Sequence, residues 1–115
     1  MDFLVENYKN ESELDKKATR EAFGVAIVSV ANENDDVVVL NADLPGSLKL
    51  QDFMEVFPER YLQVGVAEQN MASIAVGLSH YGKIPFITSY AAFSPGLNIA
   101  QIRIGAIKNQ NFKIV

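Results

Sequence analysis

The sequence predicts an α/β domain built on an open, mostly parallel sheet with helices on both faces. Three observations support this. "DDVVVLNADL" holds a continuous β-branched run, the pattern of a strand buried on both sides. Segments of helical period alternate with such strands along the chain. The 115 residues, 49% apolar and 21% charged, suit a single globular core.

The elements follow in order. Ser12 and Asp15 have the spacing of a capping box, with Asp in place of the usual Glu, and predict a helix over roughly 15–33. That helix becomes apolar nearly all round in "AFGVAIVSVA", so other elements are expected to cover it. A strand at 37–41 ends at Pro45, Gly46 and Ser47. Residues 48–57 predict a short helix or loop closed by Pro58.

The next unit has the clearest pattern. "YLQVG" predicts a strand at 61–64. Met71, Ile74, Ala75 and Leu78 then fall at i, i+3, i+4, i+7, a helix from Glu68 to Tyr81 stopped by Gly82. "KIPFITSY" predicts a strand at 84–88. Ser94-Pro95 reads as the N-cap and first-turn pair of a helix to about 109, with Ile99, Ile102 and Ala106 on one face. "NFKIV" predicts a strand that is just starting, so a larger domain is expected to continue beyond it.

Composition limits the function. A net charge of −4 without a basic cluster gives no phosphate-backbone footprint, so no nucleic acid is expected. Zero cysteines exclude disulfides, thiolate nucleophiles and zinc-thiolate sites. No apolar run is long enough to span a bilayer, and "MDFLVENYKN" lacks the regions of a secretory signal. The expected location is the cytoplasm.

In an open parallel sheet the carboxyl ends of the strands share one edge, and ligands bind outside it. Asp43 follows the first strand, Glu68 the second, and Tyr90 and Phe93 the third. With neighbouring strands about 5 Å apart, two carboxylates and two rings should gather there as a pocket. Each residue also has a plainer explanation. A first-turn Glu suits the helix dipole, Asp43 could be a turn residue bonding its own backbone, and the rings could simply pack. His80 is expected to be exposed and carries no assigned chemistry, and Asp35-Asp36 reads as a solvated loop. Spacing alone supports a pocket without naming its ligand.

The stretch "VGVAEQNMASIAVGLSHYGKIPFITSYAAFSPGLNIAQIR", with "TREAFG" and "LNADL" before it, resembles the pyrimidine-binding domain of transketolase-type thiamine diphosphate enzymes. The likeness extends to the C-terminal subunit of split transketolases and covers roughly residues 18–115. The resemblance implies that Glu68 hydrogen-bonds N1′ of the cofactor's aminopyrimidine. It also implies that Phe93 stacks on the ring, that Tyr90 lines the same pocket, and that Asp43 is the acidic residue of an "AD" motif near the cofactor. The chemistry is coherent. A carboxyl group sharing its proton with N1′ drives the 4′-amino group toward its imino form, which becomes the base for the reactive thiazolium carbon. Burial favours the neutral, proton-sharing carboxyl and the helix N-terminus opposes it, so the pocket must be dry.

The family's diphosphate site, with Mg²⁺ or Ca²⁺, carries a Gly-Asp-Gly motif in a different domain, and no Gly-Asp-Gly occurs here. The resemblance therefore implies that residues 1–115 form the N-terminal portion of a pyrimidine domain. A diphosphate-binding subunit or domain would be its partner in a homo- or hetero-oligomer, with sugar phosphates as substrates. Alone, the chain is expected to bind cofactor weakly and to be inactive. Leu97 and "NIA" stand where relatives carry Arg and a bulky acidic pair, which weakens transfer of substrate contacts to that helix. The alternatives are a 2-oxoacid dehydrogenase β-subunit, a deoxyxylulose-phosphate synthase, a receiver-like module phosphorylated at Asp43, and a non-catalytic interaction protein.

Overall fold

A computed structural model describes residues 8–115; the leader-less reading of the first ten residues lies mostly outside them. The helices are α1 (Thr19–Glu33), α2 (Gln51–Val56), α3 (Glu68–His80) and α4 (Ile99–Ile107). The strands are β1 (Val37–Asn41), β2 (Tyr61–Gln63), β3 (Ile84–Thr88) and β4 (Lys113–Ile114). Single 3₁₀ turns occupy Glu11–Glu13 and Pro58–Arg60. The four strands form one sheet in the order β2-β1-β3-β4, and every pairing is parallel.

β1 is the centre of the fold. All five of its residues are buried, and alternation sends them to two cores. Val37 and Val39 pack with Ile27 and Ala31 of α1 and with Leu50, Phe53 and Phe57 around α2. Val38 and Leu40 pack with Met71, Ala72 and Ala75 of α3 and with Ile87 of β3. The helices thus lie on both faces. Gly24 lets α1 approach closely, because a Cβ there would sit 2.3 Å from the Lys49 carbonyl oxygen.

Local chemistry ends the helices. Gly82, at φ +82°, donates its N–H to Ser79 O, and Lys83 N–H reaches Leu78 O. This double closure satisfies the last carbonyls of α3 and requires a left-handed residue at that point. Arg60 closes α1 from a distance, donating from Nη1 to Ala31 O at 3.0 Å and Asn34 O at 3.2 Å. Its guanidinium lies 3.8 Å from the centre of the Phe57 ring.

Three sequence expectations are corrected. The capping box does not form: α1 starts at Thr19 after Ala18, with no side-chain cap. Ser12 Oγ instead donates to Asn10 Oδ1, so its hydroxyl caps no helix start. Among the described residues the outer face of α1 is also not covered, for Val25 and Val30 are 59% and 43% exposed. Ser94-Pro95 does not open a helix. Residues 91–98 run as successive turns and α4 begins at Ile99. The inner face of α4 is centred on Ile102 and Gly105, with Ile99 and Ala106 exposed. Gly105 faces the Phe112 ring and Val76, where a Cβ would come within 2.5 and 2.7 Å.

Candidate functional site at the carboxyl edge of the sheet

Asn41 and Thr88 end the two central strands and face each other in register. Both are fully buried and hold the two strand ends together. Asn41 Nδ2 donates to Thr88 Oγ1 at 2.9 Å, and Thr88 Oγ1 donates to Leu40 O at 2.9 Å. Asn41 Oδ1 accepts the Leu44 N–H at 2.6 Å, which shapes the turn after β1. A buried polar network satisfied in this way makes the edge rigid.

Glu68 is the first residue of α3 and is 7% exposed. Such deep burial of a carboxylate needs partners. Ser89 Oγ, one residue past β3, donates to Glu68 Oε1 at 3.1 Å. Asn98 Nδ2 donates to the Glu68 carbonyl oxygen at 3.1 Å and to Ser94 Oγ at 3.1 Å. Gln69 Nε2 reaches Leu97 O at 3.1 Å. Three hydrogen bonds therefore fasten the start of α3 to the segment 89–98, and the Asn98–Ser94 bond braces that segment internally. Among the described residues, no hydrogen bond involves Glu68 Oε2.

The aromatic pair lies on that same segment. Tyr90 and Phe93 are 43% and 40% exposed, with ring centres 6.4 Å apart and planes tilted by 38°, within the usual range for interacting rings. Phe93 N–H and Ser94 N–H both donate to Tyr90 O, so the rings sit on a hydrogen-bonded turn. A cleft of about 390 Å³ lined by Val66, Ala67, Glu68, Gln69, Asn70 and Leu97 opens beside the helix start.

Asp43 stands apart from this group. It is exposed, its backbone is left-handed at φ +63°, and it turns toward β2. Its N–H donates to Gln63 Oε1 at 2.9 Å, and its Oδ1 accepts from Gln63 Nε2 at 3.4 Å. Among the described residues no hydrogen bond joins it to Glu68, Tyr90 or Phe93. The four expected residues thus follow the carboxyl ends of the strands: Ser89 and Asn98 tie Glu68 to the segment that carries Tyr90 and Phe93, and Asp43 bonds to Gln63 of β2 instead. His80 is exposed, with Nδ1 2.8 Å from Val76 O. Asp35 and Asp36 lie before β1, at the opposite end of the sheet, where Asp36 pairs with Lys83 at 2.9 Å.

Sequence patterning missed Asn41, Gln63, Thr88, Ser89 and Asn98. The available signal was modest: polar residues at the last position of apolar strands or directly after them, which covers all but Asn98.

Taken together, the molecule is an open parallel α/β domain with a buried carboxylate and an exposed aromatic pair at its carboxyl edge. Residues 15–115 match the family described as "Transketolase, pyrimidine binding domain", and the chain belongs to that family. It is 40% identical over 100 residues to a Methanocaldococcus jannaschii protein named as a transketolase C-terminal section, covering 86% of this chain and 32% of that one. With mouse transketolase it shares 36% identity over 101 residues, covering 87% of this chain and 16% of the mouse protein. Among solved structures, a split-gene transketolase described as an inactive β4 tetramer superposes with a TM-score of 0.78 at 46% identity, over 87% of this chain and 34% of that one. The Leishmania mexicana transketolase shares the fold, with a TM-score of 0.74 at 24% identity over 90% of this chain and 17% of that one. The chain thus spans about a third of the length of these relatives at most.

Proposed function

We propose that this chain supplies the aminopyrimidine half of the thiamine diphosphate site of a transketolase, which moves two-carbon ketol units between sugar phosphates. The observation that carries this reading is Glu68. It is buried at a helix start, one carboxylate oxygen accepts from Ser89, and the other has no hydrogen-bond partner among the described residues. Such a group fits a flat heterocycle bearing a basic ring nitrogen, which needs one carboxyl oxygen and an apolar plate.

In this role Glu68 Oε2 would hold a proton against N1′, and burial would keep water from competing for it. Phe93 would stack on the ring face and Tyr90 would line the wall, each ring contributing on the order of 1 kcal/mol beyond burial. Asp43 would stand at the rim, oriented by Gln63. When bound, thiamine diphosphate supplies a nucleophilic ring carbon and an electron sink for breaking the donor's carbon–carbon bond. Its diphosphate, with Mg²⁺ or Ca²⁺, would be held by a diphosphate-binding subunit or domain in an oligomer. Support for that division comes from the lack of Gly-Asp-Gly in the chain and from a family match confined to the pyrimidine-binding domain. Residues 1–115 then correspond to the N-terminal portion of that domain. The proposed setting is the cytoplasm; among the described residues no helix is long and apolar enough to cross a membrane.

The test is an assay of the chain with and without a diphosphate-binding transketolase subunit, on xylulose 5-phosphate and on pyruvate. The expected result is ketol transfer from xylulose 5-phosphate by the mixture alone. Turnover of pyruvate instead would move the chain to the 2-oxoacid dehydrogenase or deoxyxylulose-phosphate synthase branch. Turnover by the isolated chain would overturn the half-site reading.

A further inference from the structure

Ser89 is 5% exposed and directly follows β3. Its Oγ makes the single hydrogen bond found on the Glu68 carboxylate among the described residues, at 3.1 Å to Oε1. Its own N–H reaches Val115 O at 3.4 Å beside β4. This bond and that from Val115 N–H to Ile87 O continue the β3–β4 pairing one residue past both strands, so the hydroxyl sits at the sheet's edge where backbone bonds fix its position. Glu68 needs such a reference point. Its side chain has three rotatable bonds, and the start of α3 has no side-chain cap. The free N–H groups of that first turn attract any nearby anion. Asn98 fixes the Glu68 backbone through its carbonyl oxygen, but it does not touch the carboxylate. The tip of the side chain is set by Ser89.

We propose that Ser89 is the positioning residue of Glu68: by occupying Oε1 it aims Oε2 outward as the one oxygen that shares a proton with a ring nitrogen. This deepens the reading of Glu68 given above and rests on it. Without the hydroxyl, the carboxylate would swing toward the uncapped N–H groups and the adjoining cleft, and the ring would lose its aligned partner. A merely structural serine would weaken binding of every ring equally. A positioning serine should affect only those rings that carry the nitrogen.

Two variants and two readouts test this. Crystal structures of the chain alone should show Glu68 Oε1 beside residue 89 in the wild type and in Ser89→Thr, and turned away in Ser89→Ala. In the complex with a diphosphate-binding subunit, affinities are measured for thiamine diphosphate and for its analogue with CH in place of N1′. Ser89→Ala should reduce the preference for the natural ring by about tenfold while affinity for the analogue stays unchanged, and Ser89→Thr should restore it. A Ser89→Ala variant with the carboxylate unmoved, or with the full ring preference intact, overturns the proposal. If the wild type itself does not distinguish the two rings, the pairing of Glu68 with N1′ fails, and the structures of the chain alone still decide whether Ser89 aims the carboxylate.

Discussion

Tyr61 and Glu68 bracket β2 and the loop behind it, and the chemistry of each residue follows from what surrounds its polar tip. The Tyr61 hydroxyl is buried without a hydrogen-bond partner among the described residues. Its ionisation is pushed above the usual 10.0, first by burial and then by the charge of Asp43. The folded state therefore favours the neutral phenol. The stability this gives is fully present below the unfolded value and is lost as pH rises through the folded one. Tyr61→Phe should accordingly make stability fall less steeply above pH 10.0. At neutral pH it should raise stability by about 1 kcal/mol, because an unsatisfied hydroxyl is removed. Urea unfolding of both proteins at neutral and alkaline pH measures this, and parallel pH curves would contradict it. The position of Glu68 was legible in the sequence because a polar residue at a strand-to-helix junction falls on the carboxyl edge of any parallel sheet. Its partners were not legible, since Ser89 and Asn98 lie 21 and 30 residues away and no local pattern encodes that meeting.

Elements are held by contacts of the same long range. Arg60 closes the end of α1 across 29 and 26 residues, and only 13% of its side chain is exposed. Arg60→Ala should destabilise the fold by about 2 kcal/mol through two lost charge-assisted hydrogen bonds. Arg60→Lys should recover only part of it, because an ammonium lacks the planar fork. Thermal unfolding of the two variants checks both statements, and full recovery by lysine would refute the second. Gly105→Ala should cost about 1–3 kcal/mol by forcing Phe112 and Val76 apart, read in the same experiment. Helix and strand order were legible because period and β-branching survive without tertiary context, as the burial of "VVVLN" on both faces shows. Helix starts were not. Ser12 and Ser94 have cap chemistry, yet their hydroxyls are engaged with Asn10 and Asn98, so neither caps the helix that follows it.

At the scale of the whole molecule, the order β2-β1-β3-β4 explains how residues from different loops meet. α3 runs from edge strand β2 to β3 and so crosses the face of β1, which brings its first turn against the segment after β3. That placement also answers the receiver-like alternative. Asp35 and Asp36 lie at the opposite end of β1 from Asp43, and among the described residues no cluster of three acidic or histidine side chains exists to hold a metal. The acidic pair therefore does not meet Asp43 as a receiver-type phosphoryl site would require. In the proposed function the carboxyl edge, with its buried carboxylate and two exposed rings, would form half of a heterocycle site completed by another polypeptide. The most direct measurement is ketol transfer by the assembled pair carrying Glu68→Ala or Glu68→Gln, with cofactor held at saturation. The account predicts a fall in kcat of about 10²–10⁴-fold with the fold intact; an unchanged kcat would contradict it.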